Sequence, residues 1–169
     1  MDKKVLVAYA SKYGATAEIA EKIGETMKQG GLQVDVVPVK QATKLEDYGA
    51  VVLGSALYIG QWRKEASEFL KNNVKLLSTM PVWLFSSGPS GKGDPVELVQ
   101  GVLVPSSLQP VVDNIKPRDI TVFHGNLDLS KMGFLEKLAI KNIKAPTGDF
   151  RDWKDITSWA NSIVEALKK

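Results

Sequence analysis

The sequence has no cysteine among its 169 residues, which removes disulfides, thiolate nucleophiles, and the zinc and iron–sulfur sites that rest on Cys ligands. Histidine occurs once, at His124. That leaves little for a histidine-based metal site or catalytic triad, and His124 reads as a strand-end residue with no catalytic role. No apolar run approaches the ~20 residues that a membrane-spanning helix requires. A strong charge bias is also missing. The net charge of +3 is mild, and Lys and Arg are not interleaved with stacking aromatics, so a nucleic-acid surface is not expected. The opening MDKKVLVAYA breaks at Ser11 with no cleavage-type pattern behind it. It is read as a buried first strand in a cytoplasmic protein.

What is present suits one ordinary globular domain over residues 1–169: 44% hydrophobic and 24% charged residues, enough to bury a core without covalent staples. Strands and helices alternate. Val5–Tyr9, Val34–Val39, Ala50–Ser55, Pro81–Gly88 and Asp119–Gly125 are short, β-rich and largely apolar, as parallel strands covered on both faces should be. Between them run helical patterns. One carries Ile19, Ile23 and Met27 and ends near Gly30-Gly31; another carries Ala66, Phe69 and Leu70 and stops around Asn72-Asn73. A short helix is expected between Pro105 and Ile115. The last helix starts at Asp152, an N-cap with Asp155 as its box partner, and shows a stripe of Ile156, Trp159, Ile163 and Leu167. This alternation predicts an α/β three-layer sandwich with a five-stranded parallel sheet of order 2-1-3-4-5. Residues 126–150 form an extra segment between the fifth strand and the last helix.

In such sheets a ligand sits beyond the C-terminal strand ends, beside the switch point between strands one and three. Three loops meet there, Ser11–Thr16, Gly54–Trp62 and Ser86–Pro95, all rich in small residues that bring backbone N–H groups close to a flat or anionic guest. The first loop opens a helix. A cap needs only one hydroxyl, yet Ser11 and Thr16 both offer one, Gly14 lets the backbone turn in closely, and the helix end supplies free N–H groups and partial positive charge. A cap plus a turn is the alternative; the position directly after the first strand favours phosphate. A phosphoryl-receiver domain is set aside, because Tyr9-Ala10 and Gly54-Ser55 stand where it needs carboxylates. A P-loop is set aside because no G-x-x-x-x-G-K-S/T exists, the spacing in SGPSGKGD being wrong.

These residues resemble the flavodoxin-like family, which binds FMN, over nearly the whole chain. The family's phosphate loop is typically T/S-x-T-G-x-T; this sequence keeps Ser11, Gly14 and Thr16 and has Tyr13 at the third position. It is more closely similar to the flavodoxin-type, menaquinone-dependent protoporphyrinogen oxidases and their relatives. The shared features are S-x-x-G-x-T, the second loop GSALYIGQW, a basic segment before a helix containing Asp152-Trp153, and the extra segment itself. The resemblance implies FMN held by Ser11, Lys12, Tyr13, Gly14, Ala15 and Thr16, by Ser55, Ala56, Leu57, Tyr58, Ile59 and Gly60, and by Ser86, Ser87, Gly88, Pro89, Ser90 and Gly91. Tyr58 is expected against the flavin ring. Trp62 is expected to start the next helix and pack below, and Gly60 to present backbone near the reactive nitrogen. The third loop, SSGPSGKGDP, has no aromatic residue, so one flavin face is left open or is covered by something else; Lys92 there reads as a solvated loop lysine.

Within the extra segment, Met132, Leu135, Leu138, Ala139 and Ile143 recur at helical spacing beside Lys131, Lys137, Lys141 and Lys144, the pattern of a basic amphipathic helix. It either packs on its own domain or meets a membrane surface or an acidic partner. The implied function is an FMN oxidoreductase that passes electrons from a small organic substrate, protoporphyrinogen-like, to a quinone or redox partner. The alternative is an electron carrier without its own substrate, although such carriers tend to be acidic and this chain is not. The flavin carries the chemistry, so no catalytic side chain and no metal is assigned.

Overall fold

The computed structural model describes residues 3–169. Strand β1 (Lys4–Ala10) leads into helix α1 (Ala15–Gln29), β2 (Val34–Pro38) and the long strand β3 (Tyr48–Tyr58). A two-residue strand β4 (Gln61–Trp62) folds back on β3, followed by α2 (Lys64–Asn72), α3 (Val74–Leu77) and β5 (Val82–Ser87). Then come α4 (Pro95–Leu98), α5 (Gln109–Ile115) and β6 (Asp119–Phe123). The extra segment supplies β7 (Asn126–Leu127), α6 (Phe134–Ile143) and β8 (Gly148–Asp149), and α7 (Trp153–Lys168) closes the chain.

The five parallel strands run in the order β2-β1-β3-β5-β6, which is the expected order once the small antiparallel β4 is set aside. Alternation along the strands divides the core between the two faces. Leu6, Ala8, Leu53 and Leu84 face α2, α3 and α5, while Val5, Val7, Val52 and Phe85 face α1 and α7. These side chains are almost completely buried, each contributing about 1.5–3 kcal/mol when large. The stripe predicted on the last helix is largely inside: Ile156, Ile163 and Leu167 are buried, and Trp159 packs edge-on to Phe85 and Phe123. Asp152 caps that helix by accepting from the Lys154 and Asp155 backbone N–H groups. The return bond from the Asp155 side chain is not formed, so the cap is one-sided.

Two local expectations are corrected. Trp62 does not begin a helix; it pairs with Leu57 in the β3–β4 hairpin, and α2 starts at Lys64. Ala56–Tyr58, read only as loop, continue β3 beyond the expected Ser55, which is in register with Ala10. Pairing of Ala56 with Ser87 and of Leu57 and Tyr58 with β4 holds them extended. Among the described residues no helix is long and apolar enough to cross a membrane.

Candidate functional site

The first loop is shaped by Gly14, whose φ of 95° lies in the left-handed region that side chains avoid. Ser11 Oγ accepts the Gly14 N–H at 3.0 Å, so the hydroxyl braces the turn from inside and keeps its own proton for another acceptor. The chain then enters α1, whose first N–H groups open at the C-terminal edge of the sheet. Thr16 and Ser87, both 2% exposed, are joined hydroxyl to hydroxyl at 2.9 Å, which ties the helix mouth to the end of β5. One proton is used between them, and the acceptor's proton remains free.

Tyr13 is half-buried, and its Oη is buried without a hydrogen-bond partner. The neighbouring Lys12 ammonium lies 5.1 Å from the Tyr13 ring centroid and 5.8 Å from that of Tyr58. It also pairs with Glu136 Oε1, on α6, at 2.6 Å. Lys131 donates to the Tyr13 carbonyl at 3.4 Å, so the extra segment touches the first loop twice.

The second loop is a tight hairpin. Tyr58 pairs with Gln61 across Ile59 and Gly60, whose φ values of 49° and 68° are both positive, as a turn of this hand requires. Ile59 is β-branched and 89% exposed, on both counts an uncommon occupant of that position. Tyr58 stands at the cavity rim, while Trp62 is buried and donates from Nε1 to Ser86 Oγ at 2.7 Å. Ser86 in turn donates to the Leu103 carbonyl. Ser55 is spent on the fold as well, accepting the Arg63 N–H and donating to the Ala56 carbonyl.

The third loop leaves the cavity early. Gly88 lies so close to Leu57 that an added Cβ would stand 2.6 Å from the Leu57 carbonyl oxygen. From there the loop is pinned to the end of β6: Gly125 N–H donates to the Pro89 carbonyl, and His124 reaches the Pro89 and Gly93 carbonyls with its two ring nitrogens, at 3.2 and 2.8 Å. His124 thus clamps a loop.

The three loops enclose a cavity of about 330 Å³. Of the expected residues, Ser11, Lys12, Tyr13, Ala15, Thr16, Ala56, Leu57, Tyr58, Ser87 and Gly88 line it. Gly14, Ser55, Ile59, Gly60, Ser86, Pro89, Ser90 and Gly91 do not, and Gly91 and Lys92 line a separate cleft beside β6 and α7. Sequence reasoning missed Gln61, Arg63, Gly125, Asn126, Leu127 and Met132. The last three come from the extra segment, which forms the wall that the third loop does not provide. Nothing local marks Asn126 or Leu127 for this; Met132 was visible only as part of an apolar stripe.

That stripe is split in the structure. Met132 precedes the helix and is buried at the cavity, and Ile140 is the buried side chain of α6. Leu135, Leu138, Ala139 and Ile143 face outward together with Phe134, beside exposed Lys141 and Lys144.

Part of the cavity lining is therefore polar, built from a helix mouth, hydroxyls and an unpartnered phenol. The rest is apolar and aromatic, with Leu57, Tyr58, Trp62 and Met132. A volume of this size suits a small organic ligand with an anionic end and a flat apolar body. Among the described residues no group of three or more metal-ligating side chains exists.

Comparison with known proteins gives a consistent picture. A family described as "Flavodoxin domain" matches residues 6–154. The protoporphyrinogen IX dehydrogenase (quinone) of Escherichia coli strain K12 is 24% identical over 187 aligned positions, covering 98% of this chain and 97% of that protein. Among solved structures, a flavodoxin from the domain Archaea superposes with a TM-score of 0.64 at 16% identity, covering 98% of this chain and 99% of the other. Oxidised Flavodoxin 1 from Bacillus cereus gives 0.62 at 15% identity, covering 96% and 98%. At these identities the structural likenesses establish the fold alone.

Proposed function

The chain belongs to the flavodoxin domain family, and from that premise we propose that it is an FMN-dependent oxidoreductase, taking electrons from a protoporphyrinogen-like organic substrate and passing them to a quinone or redox partner. FMN is the cofactor of the family and of this chain. Bound FMN supplies the electron- and hydride-transfer chemistry, and the protein supplies binding, orientation and exclusion of water. The polar lining around Ser11–Thr16 receives the phosphate. There the first N–H groups of α1, the free protons of Ser11 and of the Thr16–Ser87 pair, and the orphaned Tyr13 Oη provide donors for an anion. Tyr58 flanks the ring, and Leu57, Trp62 and Met132 give it an apolar seat.

The observation that carries the enzyme reading is the extra segment. It walls the cavity with Leu127 and Met132 and turns an apolar, lysine-flanked face of α6 outward beside it. A shuttle needs an accessible flavin edge and no such wall. The segment suits a site that selects a flat apolar donor and docks where an apolar acceptor is found, the inner face of a membrane. The full-length match to a protein named as a quinone-dependent dehydrogenase supports the same reading.

The experiment is an anaerobic turnover assay on FMN-loaded protein, with porphyrinogen as donor and a menaquinone analogue as acceptor. Repeated turnover with loss of porphyrinogen is expected. The carrier reading would instead give no turnover with small organic donors, and flavin reduced only by a reductase protein.

A further inference from the structure

Among the described residues Arg151 is the most buried cation at an ion pair, its side chain only 5% exposed, and it does not line the cavity. It lies just past β8, where the extra segment ends. Its guanidinium donates twice to Asp149, once to Glu18 Oε2, and at 3.3 Å to the carbonyl of Ala15. Trp153 covers one of its faces, with the ring centroid 4.7 Å away. Ala15 is the first residue of α1 and Glu18 belongs to the same first turn, so this planar cation sits against the outer side of the helix mouth.

Glu18 has two opposite effects. A carboxylate in a first turn favours the helix. It also repels any anion that the same turn is meant to hold, and Asp149 adds a second negative charge nearby. A guanidinium, always charged and reaching both carboxylates through its fork, cancels most of that repulsion. It also fixes the Ala15 carbonyl, and with it the Ala15–Thr16 peptide at the start of α1.

We propose that Arg151 is a positioning residue for the cofactor phosphate: it masks the Glu18 and Asp149 carboxylates at the mouth of α1 and fixes the first peptide of that helix. The inference rests on the phosphate lying at Ser11–Thr16. A guanidinium acting there changes affinity for the phosphorylated cofactor and not for the ring.

The test is titration of apoprotein with FMN and with riboflavin, read as the ratio of the two affinities. The parent protein should prefer FMN; a ratio near one would remove the phosphate assignment itself. R151Q should lower the FMN preference about tenfold and leave riboflavin affinity within twofold. R151K should recover part of it. E18Q, a change at a half-exposed side chain that leaves the fold alone, should raise the preference, and E18Q combined with R151Q should restore most of what R151Q loses. Equal weakening of both ligands by R151Q, or an unchanged ratio in E18Q, would overturn the proposal.

Discussion

Lys12 and Glu136 are 124 positions apart in sequence, and their charged atoms meet at 2.6 Å, with Lys12 itself lining the cavity. The pair joins the first loop to α6, so it fastens the extra segment over the site. Both side chains keep some exposure, 43% and 31%, which places the pair among those worth about 0.2–1 kcal/mol. Glu136→Gln should speed FMN release two- to fivefold, and salt should speed release from the parent but hardly from the variant. Stopped-flow fluorescence at two ionic strengths reads both. Equal salt dependence in the two proteins would mean that the pair does not fasten the segment.

The Thr16–Ser87 hydroxyl pair leads to a sharper expectation. Thr16→Val keeps the shape and strands the Ser87 hydroxyl in a buried place, costing about 1–3 kcal/mol. The same change takes away one of the two hydroxyls available to the phosphate and the bond that orients the other. FMN affinity should fall tenfold or more, while riboflavin affinity falls less. Thr16→Ser should behave almost as the parent. Fluorescence titration of each apoprotein is the measurement.

Ile59 holds a left-handed backbone conformation that costs an L-residue about 1–2 kcal/mol, and its side chain gains no burial in return. Ile59→Asn should therefore raise stability to denaturant by about 1 kcal/mol, since Asn tolerates this conformation. On the proposed function, the exposed apolar tip beside the cavity rim would meet the apolar acceptor. The variant should accordingly lose turnover with an apolar acceptor while keeping FMN. A variant that is no more stable than the parent would remove the strain argument.

Asp149 links the segment to acid stability. Hydrogen bonds from the Arg151 side chain hold its carboxyl below the ordinary aspartate range. A depressed folded-state value contributes stability that is fully present above the unfolded value, near 3.9, and is lost as pH falls through the folded one. The parent should lose stability below about pH 4 faster than Asp149→Asn does. Denaturant melts between pH 6 and pH 3 would show parallel curves if Asp149 were uncoupled.

The frame was readable because its signals are local. Val5–Tyr9 is apolar on both faces and could only be a covered strand, and Gly14 between two hydroxyl residues marks a turn into a helix. The serines of the later loops carried no such mark. Ser55 and Ser86 look like ligand donors in sequence, yet their hydroxyls serve the Arg63 N–H and the Trp62 indole, contacts created only when β4 folds back. The cavity's far wall was equally hidden. Leu127 and Met132 reach it because Lys12, Lys131 and Arg151 hold a distant segment against the first loop, and no periodicity encodes that docking.

The outward face of α6 is the last point on which sequence and structure agree in part. Phe134, Leu135 and Ile143 are each more than 70% exposed, Leu138 is 42% exposed, and Lys137, Lys141 and Lys144 stand around them. Four large apolar side chains exposed on one helix mark a surface that something else covers. An anionic bilayer fits both the apolar and the charged parts, and it is where a quinone acceptor would be found. Each lysine near such a surface is worth about 1 kcal/mol, so binding should be reversible and salt-sensitive. The double variant Lys137→Glu and Lys141→Glu should abolish co-sedimentation with anionic vesicles and leave flavin content unchanged. Phe134→Ser with Leu135→Ser should weaken sedimentation even at low salt, because the apolar contribution is then lost as well. Neutral vesicles should retain little of either protein. If the parent does not sediment with anionic vesicles at low salt, the face meets a protein, and quinone reduction should then run equally fast with and without lipid.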